Sequence, residues 1–170
     1  MLLEQMTLER FNQLEPSEAV AVLRPCIDVS RWIDEIAQAR PFTSIEALLD
    51  CAGKAANPFA DAEIDSALSH HPRIGERAAG SNAEAALSRS EQAALGPTDA
   101  QVAAELVAGN RAYEEKFGRV FLIRAAGRSS REILAALNER LQNTPETENP
   151  IVAQQLREIA LLRLKGGVTA

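Results

Sequence analysis

Apolar residues recur along this chain at spacings of three and four, in short runs separated by proline, glycine and small polar residues. That rhythm marks amphipathic helices rather than strands, so the chain reads as all-α. Thr7 to Leu14 and Ser17 to Leu23 form two short helices, the second introduced by Pro16 and closed before Pro25. A third covers Ser30 to Ala39, where Trp32, Ile33, Ile36 and Ala37 share one face and Pro41 ends it. Ser44 to Ala56 and Asp61 to Ser69 repeat the pattern on either side of an Asn57-Pro58 turn. Glu84 to Leu95 and Asp99 to Phe117 follow; the latter lines up Val102, Leu106, Tyr113 and Phe117 and is stopped by Gly118. Val120 to Ile123 is an apolar run too short for a helix of its own and fits an extended buried segment. Ser129 to Leu141, with Ser129 and Ser130 as capping residues, and Pro150 to Lys165, stopped by Gly166-Gly167, complete the set.

One stretch breaks the rhythm. His70-His71-Pro72-Arg73-Ile74-Gly75-Glu76-Arg77 has no apolar period, holds both histidines of the chain and reads as a loop. His71 is the first candidate for chemistry, because imidazole titrates near neutrality and Pro72 restricts the backbone presenting it. The alternative is an ordinary exposed loop histidine. Adjacent histidines diverge on extended backbone, so His70 and His71 do not suit a shared metal ion.

Glu91 is the second candidate. On a continuous helix it falls between Leu87 and Leu95 at four-residue spacing, with Ser88 nearby, so its carboxyl is partly desolvated and able to relay a proton. Ser88-x-x-Glu91 is equally the capping-box pattern, and the two roles are compatible. Arg163 is the third, since Val152, Leu156 and Ile159 lead directly onto it at spacings of four, three and four. It is either a snorkelling arginine near a helix C-terminus or a planar fork of donors for an anionic or urea-like ligand. Asn110, between Leu106 and Tyr113, reads as a buried structural hydrogen-bonding group.

Composition narrows the class. With 170 residues and 46% apolar content, the chain suits one globular domain spanning 1–170. Its 24 acidic and 18 basic residues leave a net charge of −6, which removes the general attraction to nucleic acid or anionic membrane. Cys26 and Cys51 are too few for a disulfide framework or an all-cysteine zinc site, and with no leader-like or membrane-spanning run the expectation is a bacterial-type cytoplasmic protein. The glycine-rich phosphate loops, the nucleophile elbow and the zincin helix motif are all missing.

Four ordered motifs carry a resemblance. HHPRIGE at 70–76, SRSEQ at 88–92, KFGRVFLIRAAGRSSREIL at 116–134 and EIALLRL at 158–164 together resemble the 2-oxo-4-hydroxy-4-carboxy-5-ureidoimidazoline (OHCU) decarboxylase family, over nearly the whole chain. The resemblance implies an all-helical, cofactor-free enzyme without a metal, a homodimer, forming (S)-allantoin from OHCU in the third step of urate breakdown. It assigns His71 and Glu91 as catalytic. It assigns Pro72, Ser88, Arg89, Ser90, Gln92, the segment Phe121, Leu122, Ile123, Arg124, Ala125, and Arg163 to substrate, the segment acting largely through backbone groups. Arg119-Val120 departs from the family's usual small apolar residues or proline. The competing readings are a helical protein-interaction module and a lyase for another small ureido acid.

Overall fold

The structure, a computed structural model, describes residues 6–69, 87, 91 and 99–170. Among these residues the helices are α1 (Leu8–Gln13), α2 (Pro16–Leu23), α3 (Ser30–Gln38), α4 (Ile45–Ala55), α5 (Asp61–Leu68), α6 (Ala100–Phe117), α7 (Ser130–Arg140) and α8 (Pro145–Gly167). The boundaries follow local chemistry. Thr7, Ser44, Asp99, Ser129 and Thr144 each accept a main-chain N–H of the first turn of the helix they precede. Ser129 and Glu132 complete a reciprocal box, each accepting the other's N–H at 3.1 Å. At the far end of α6, Gly118 adopts φ 72°, a left-handed cap that only glycine takes without strain.

Two expectations need correction. The last helix starts at Pro145, not Pro150, so Pro150 lies inside it. A proline there forfeits one backbone bond, but Thr144 caps the helix, Pro145 occupies its first position, and Glu148 is locked into the core, so the early turn forms regardless. At the other end Gly166 and Gly167 do not stop the helix; it runs through Gly167. Val168–Thr169 (β2) then pairs in parallel with Met6–Thr7 (β1), Met6 opposite Val168, a terminal ladder that the apolar period did not announce.

Two apolar clusters result. The larger joins α1 to α5 with α8 and buries Phe11, Trp32, Ile36, Leu48 and Leu156, with the Trp32 indole N–H donating to Ala52 O at 3.0 Å. The smaller lies between α6 and α7 around Tyr113, Ile133 and Leu137. There Gly109 lets the helices close up: a Cβ at that position would sit 2.5 Å from Leu137 Cδ2.

The segment after Gly118 threads between the clusters. Phe121 and Ile123 belong to the smaller and Leu122 to the larger, the period-two alternation of extended backbone. Burial of each such side chain contributes about 1.5–3 kcal/mol. That exceeds the roughly 1–2 kcal/mol per residue needed to order the main chain, so the segment is held without a sheet.

Candidate functional site

Arg163 sits near the C-terminal end of α8, and its side chain is only 2% exposed. It therefore does not snorkel. Its Nε donates to Glu91 Oε2 at 2.9 Å and its Nη2 to Glu91 Oε1 at 2.8 Å, a two-pronged pairing that fixes the carboxylate plane. The Nη1 group reaches the turn after α2, at 3.3 Å from Pro25 O and 3.4 Å from Cys26 O. Proline at position 25 forces that turn and leaves its carbonyls pointing away from any helix ladder, where a guanidinium can take them. The Glu91 side chain is 30% exposed, so the carboxylate is the outward member of the pair. Leu87 and Glu91 are both helical and one turn apart, as the spacing predicts.

The Phe121 to Ala125 segment is anchored from several directions. Arg140 Nη1 donates to Leu122 O at 2.7 Å, and its guanidinium lies 4.5 Å from the Phe121 ring centroid. Arg124 N–H donates to Gln155 Oε1 of α8 at 2.9 Å, while Arg128 Nε donates to Arg124 O at 2.9 Å. Arg140 is itself held by Glu148, which is fully buried: its Oε1 accepts Arg140 Nε at 2.6 Å and the Tyr113 hydroxyl at 2.8 Å, and its Oε2 accepts Asn143 Nδ2 at 3.0 Å. Burial, and then the bond to Glu148, push the Tyr113 hydroxyl up to about 12. The unusual Arg119 is accommodated at the head of the segment, where its Nη2 donates to Asn149 Oδ1 of α8.

The structure thus brings together Glu91 and Arg163, and describes Phe121, Leu122 and Ile123 as buried with Arg124 and Ala125 half-buried. His70, His71, Pro72, Ser88, Arg89, Ser90 and Gln92 lie outside the described residues. Asn110 is buried, as expected. Gln155, Arg140 and Glu148 escaped the sequence reading. Gln155 stands one helical turn before Ile159 on the way to Arg163, a spacing that could have singled it out. A separate open groove of about 470 Å³ between α3 and α5 is walled by Arg24, Asp28, Arg31 and Glu63, whose charges pair among themselves at 2.7–2.8 Å. Among the described residues no group of three histidine, cysteine or acidic side chains converges as a metal set, and no helix is long and apolar enough to cross a membrane.

Comparison with known proteins decides the family. The family model for OHCU decarboxylase matches residues 12–165. The chain belongs to the OHCU decarboxylase family. It is 34% identical to the 2-oxo-4-hydroxy-4-carboxy-5-ureidoimidazoline decarboxylase of Amia calva, covering 94% of this chain and 93% of that protein. It is 35% identical to a uric acid degradation bifunctional protein of Arabidopsis thaliana over 82% of this chain, and 28% identical to one of Bacillus sp. (strain TB-90) over 94%. The chain spans only 44% and 32% of those two bifunctional relatives. A crystal structure of an OHCU decarboxylase in the presence of (S)-allantoin superposes with a TM-score of 0.69 at 31% identity, covering 90% of this chain and 97% of that one. An (S)-allantoin synthase structure, at 19% identity and the same TM-score, shares the all-helical OHCU decarboxylase fold.

Proposed function

We propose that this chain, acting as one domain over 1–170, converts OHCU to (S)-allantoin and carbon dioxide. The observation that carries the proposal is the forked Arg163–Glu91 pair, which joins two family-matched residues 72 positions apart beside a buried substrate-type segment. The chemistry has a simple electron path. The bond from the ring carbon to its carboxylate breaks, carbon dioxide leaves, and the electron pair moves toward the adjacent imine, whose nitrogen takes up a proton. The ring hydroxyl then gives up its proton as it becomes a carbonyl, and the neighbouring ring carbon receives one, for a net uptake of a single proton. The path needs no electron sink beyond the substrate's own imine.

What the protein must supply is orientation and one proton on one face. In this reading His71 delivers that proton, and Glu91, held by Arg163, orients or shares it. The Arg163 charge and the backbone of Phe121 to Ala125, with Pro72 and the Ser88 to Gln92 stretch, hold the ureido and ring oxygens. Added to a mixture of urate, urate oxidase and hydroxyisourate hydrolase, the protein is expected to produce the circular dichroism of (S)-allantoin rapidly. The same slow drift toward racemic product with and without it would reject the substrate. The reading also carries a homodimer and a cytoplasmic location. Light scattering at the 18.4 kDa monomer mass would remove the dimer.

A further inference from the structure

Helix α8 carries more of the site than Arg163. Gln155, Ile159 and Arg163 follow one another at four-residue spacing, so they share a face and the outer two stand about 12 Å apart along the axis. Arg163 holds Glu91 and Gln155 holds the Arg124 amide, so one rigid element touches both halves of the site.

The Gln155 carboxamide has a defined orientation. Its Oε1 accepts the Arg124 N–H at 2.9 Å, and its Nε2 donates to Glu158 Oε2 at 3.3 Å. Glu158 Oε1 in turn lies 3.6 Å from Arg124 Nη1, closing a ring of three side chains around one main-chain amide. Reversing the carboxamide would set an acceptor against the Glu158 carboxylate and a donor against the Arg124 N–H, so both contacts select the same orientation. The segment has no sheet ladder to fix its backbone, which makes each side-chain anchor count.

We infer that Gln155 is a positioning residue for the reaction: it sets the Phe121 to Ala125 backbone against Arg163 without touching the substrate. The inference rests on the reading of that segment as substrate-contacting. Displacements of about 1 Å in a binding framework can cost roughly a hundredfold in rate. Loss of one anchor of several should therefore cost less, mainly in substrate binding.

The test uses the full-length chain with Gln155→Leu, and with the swap Gln155→Glu plus Glu158→Gln. Leucine keeps the helix and removes the acceptor. The swap restores an oxygen acceptor to the Arg124 N–H and keeps one carboxylate and one amide. For Gln155→Leu the expected result is a KM raised about tenfold with kcat within about threefold of the parent, and faster hydrogen exchange of the Arg124 amide. The swap is expected to return both toward the parent. A merely destabilised protein would lower the active fraction and hence the apparent kcat, leaving KM unmoved. Unchanged exchange at Arg124 together with unchanged KM would overturn the inference. If the parent fails to turn over OHCU, the substrate reading falls, while exchange at Arg124 still decides whether Gln155 sets the segment: faster exchange in Gln155→Leu supports that placement, and unchanged exchange refutes it.

Discussion

Arg163→Leu is expected to lower kcat/KM for OHCU by about a hundredfold or more. Leucine fits the helix and the apolar stripe of Val152, Leu156 and Ile159, so the loss would fall on what the guanidinium holds. Two charge-assisted bonds to Glu91 disappear together, and such bonds contribute about 1.5–3 kcal/mol each. With about 1.4 kcal/mol for each tenfold in rate, the loss of a fixed Glu91 alone reaches that range when the carboxylate must be in place during proton transfer. The carbonyls of Pro25 and Cys26 would lose their donor as well, so a modest fall in stability accompanies the kinetic loss. Arg163→Lys should stand between parent and leucine variant, because an ammonium keeps the charge but not the planar fork that grips both carboxylate oxygens. Steady-state kinetics by circular dichroism, with thermal melts alongside, would check this. A leucine variant with the parent's kcat/KM would end the claim that the pair serves the reaction.

Glu148→Ala should be the most destabilising single change at the described site. The carboxylate is fully buried, and it compensates Arg140, whose side chain is 7% exposed, while also accepting from Tyr113 and Asn143. Removing one member of a buried ion pair strands the other, at a cost of about 3–5 kcal/mol. For a chain of this size each kcal/mol moves Tm by about 2–4 °C, so a fall of roughly 6–20 °C is expected. Glu148→Gln keeps an acceptor for the Tyr113 hydroxyl and should fall between. Because Arg140 also donates to Leu122 O, the alanine variant should lose activity below its lowered Tm as well. Differential scanning calorimetry decides it: a Tm within about 2 °C of the parent would mean that the buried network does not hold the segment.

The candidate site was half legible. Glu91 and Arg163 could each be picked out as a charge on an apolar stripe at helical spacing, because that pattern is local. Their meeting was not legible, since nothing in either stripe says which residue 72 positions away it faces. The same holds for Gln155 and Arg124, 31 positions apart, and for the ring of groups around Glu148, which reads in the chain as one more acidic residue in the polar stretch before Pro150. The arginine fork, read as free to grip a ligand, is occupied by Glu91.

The helices were determined by the sequence itself. Periodic apolar positions, capping Ser, Thr and Asp, proline stops and Gly118 act through bonds within a few residues, and they mark α1 to α7 to within a residue or two at each end. The family motifs are equally local, being strings of residues in order. Tertiary structure decided the rest. Whether Pro150 breaks α8 depended on how firmly the preceding turn is buried, and whether Gly167 ends it depended on a strand partner 162 positions earlier. Which charges pair inside the protein depended on the desolvation that packing imposes, a quantity that no single stretch of chain contains.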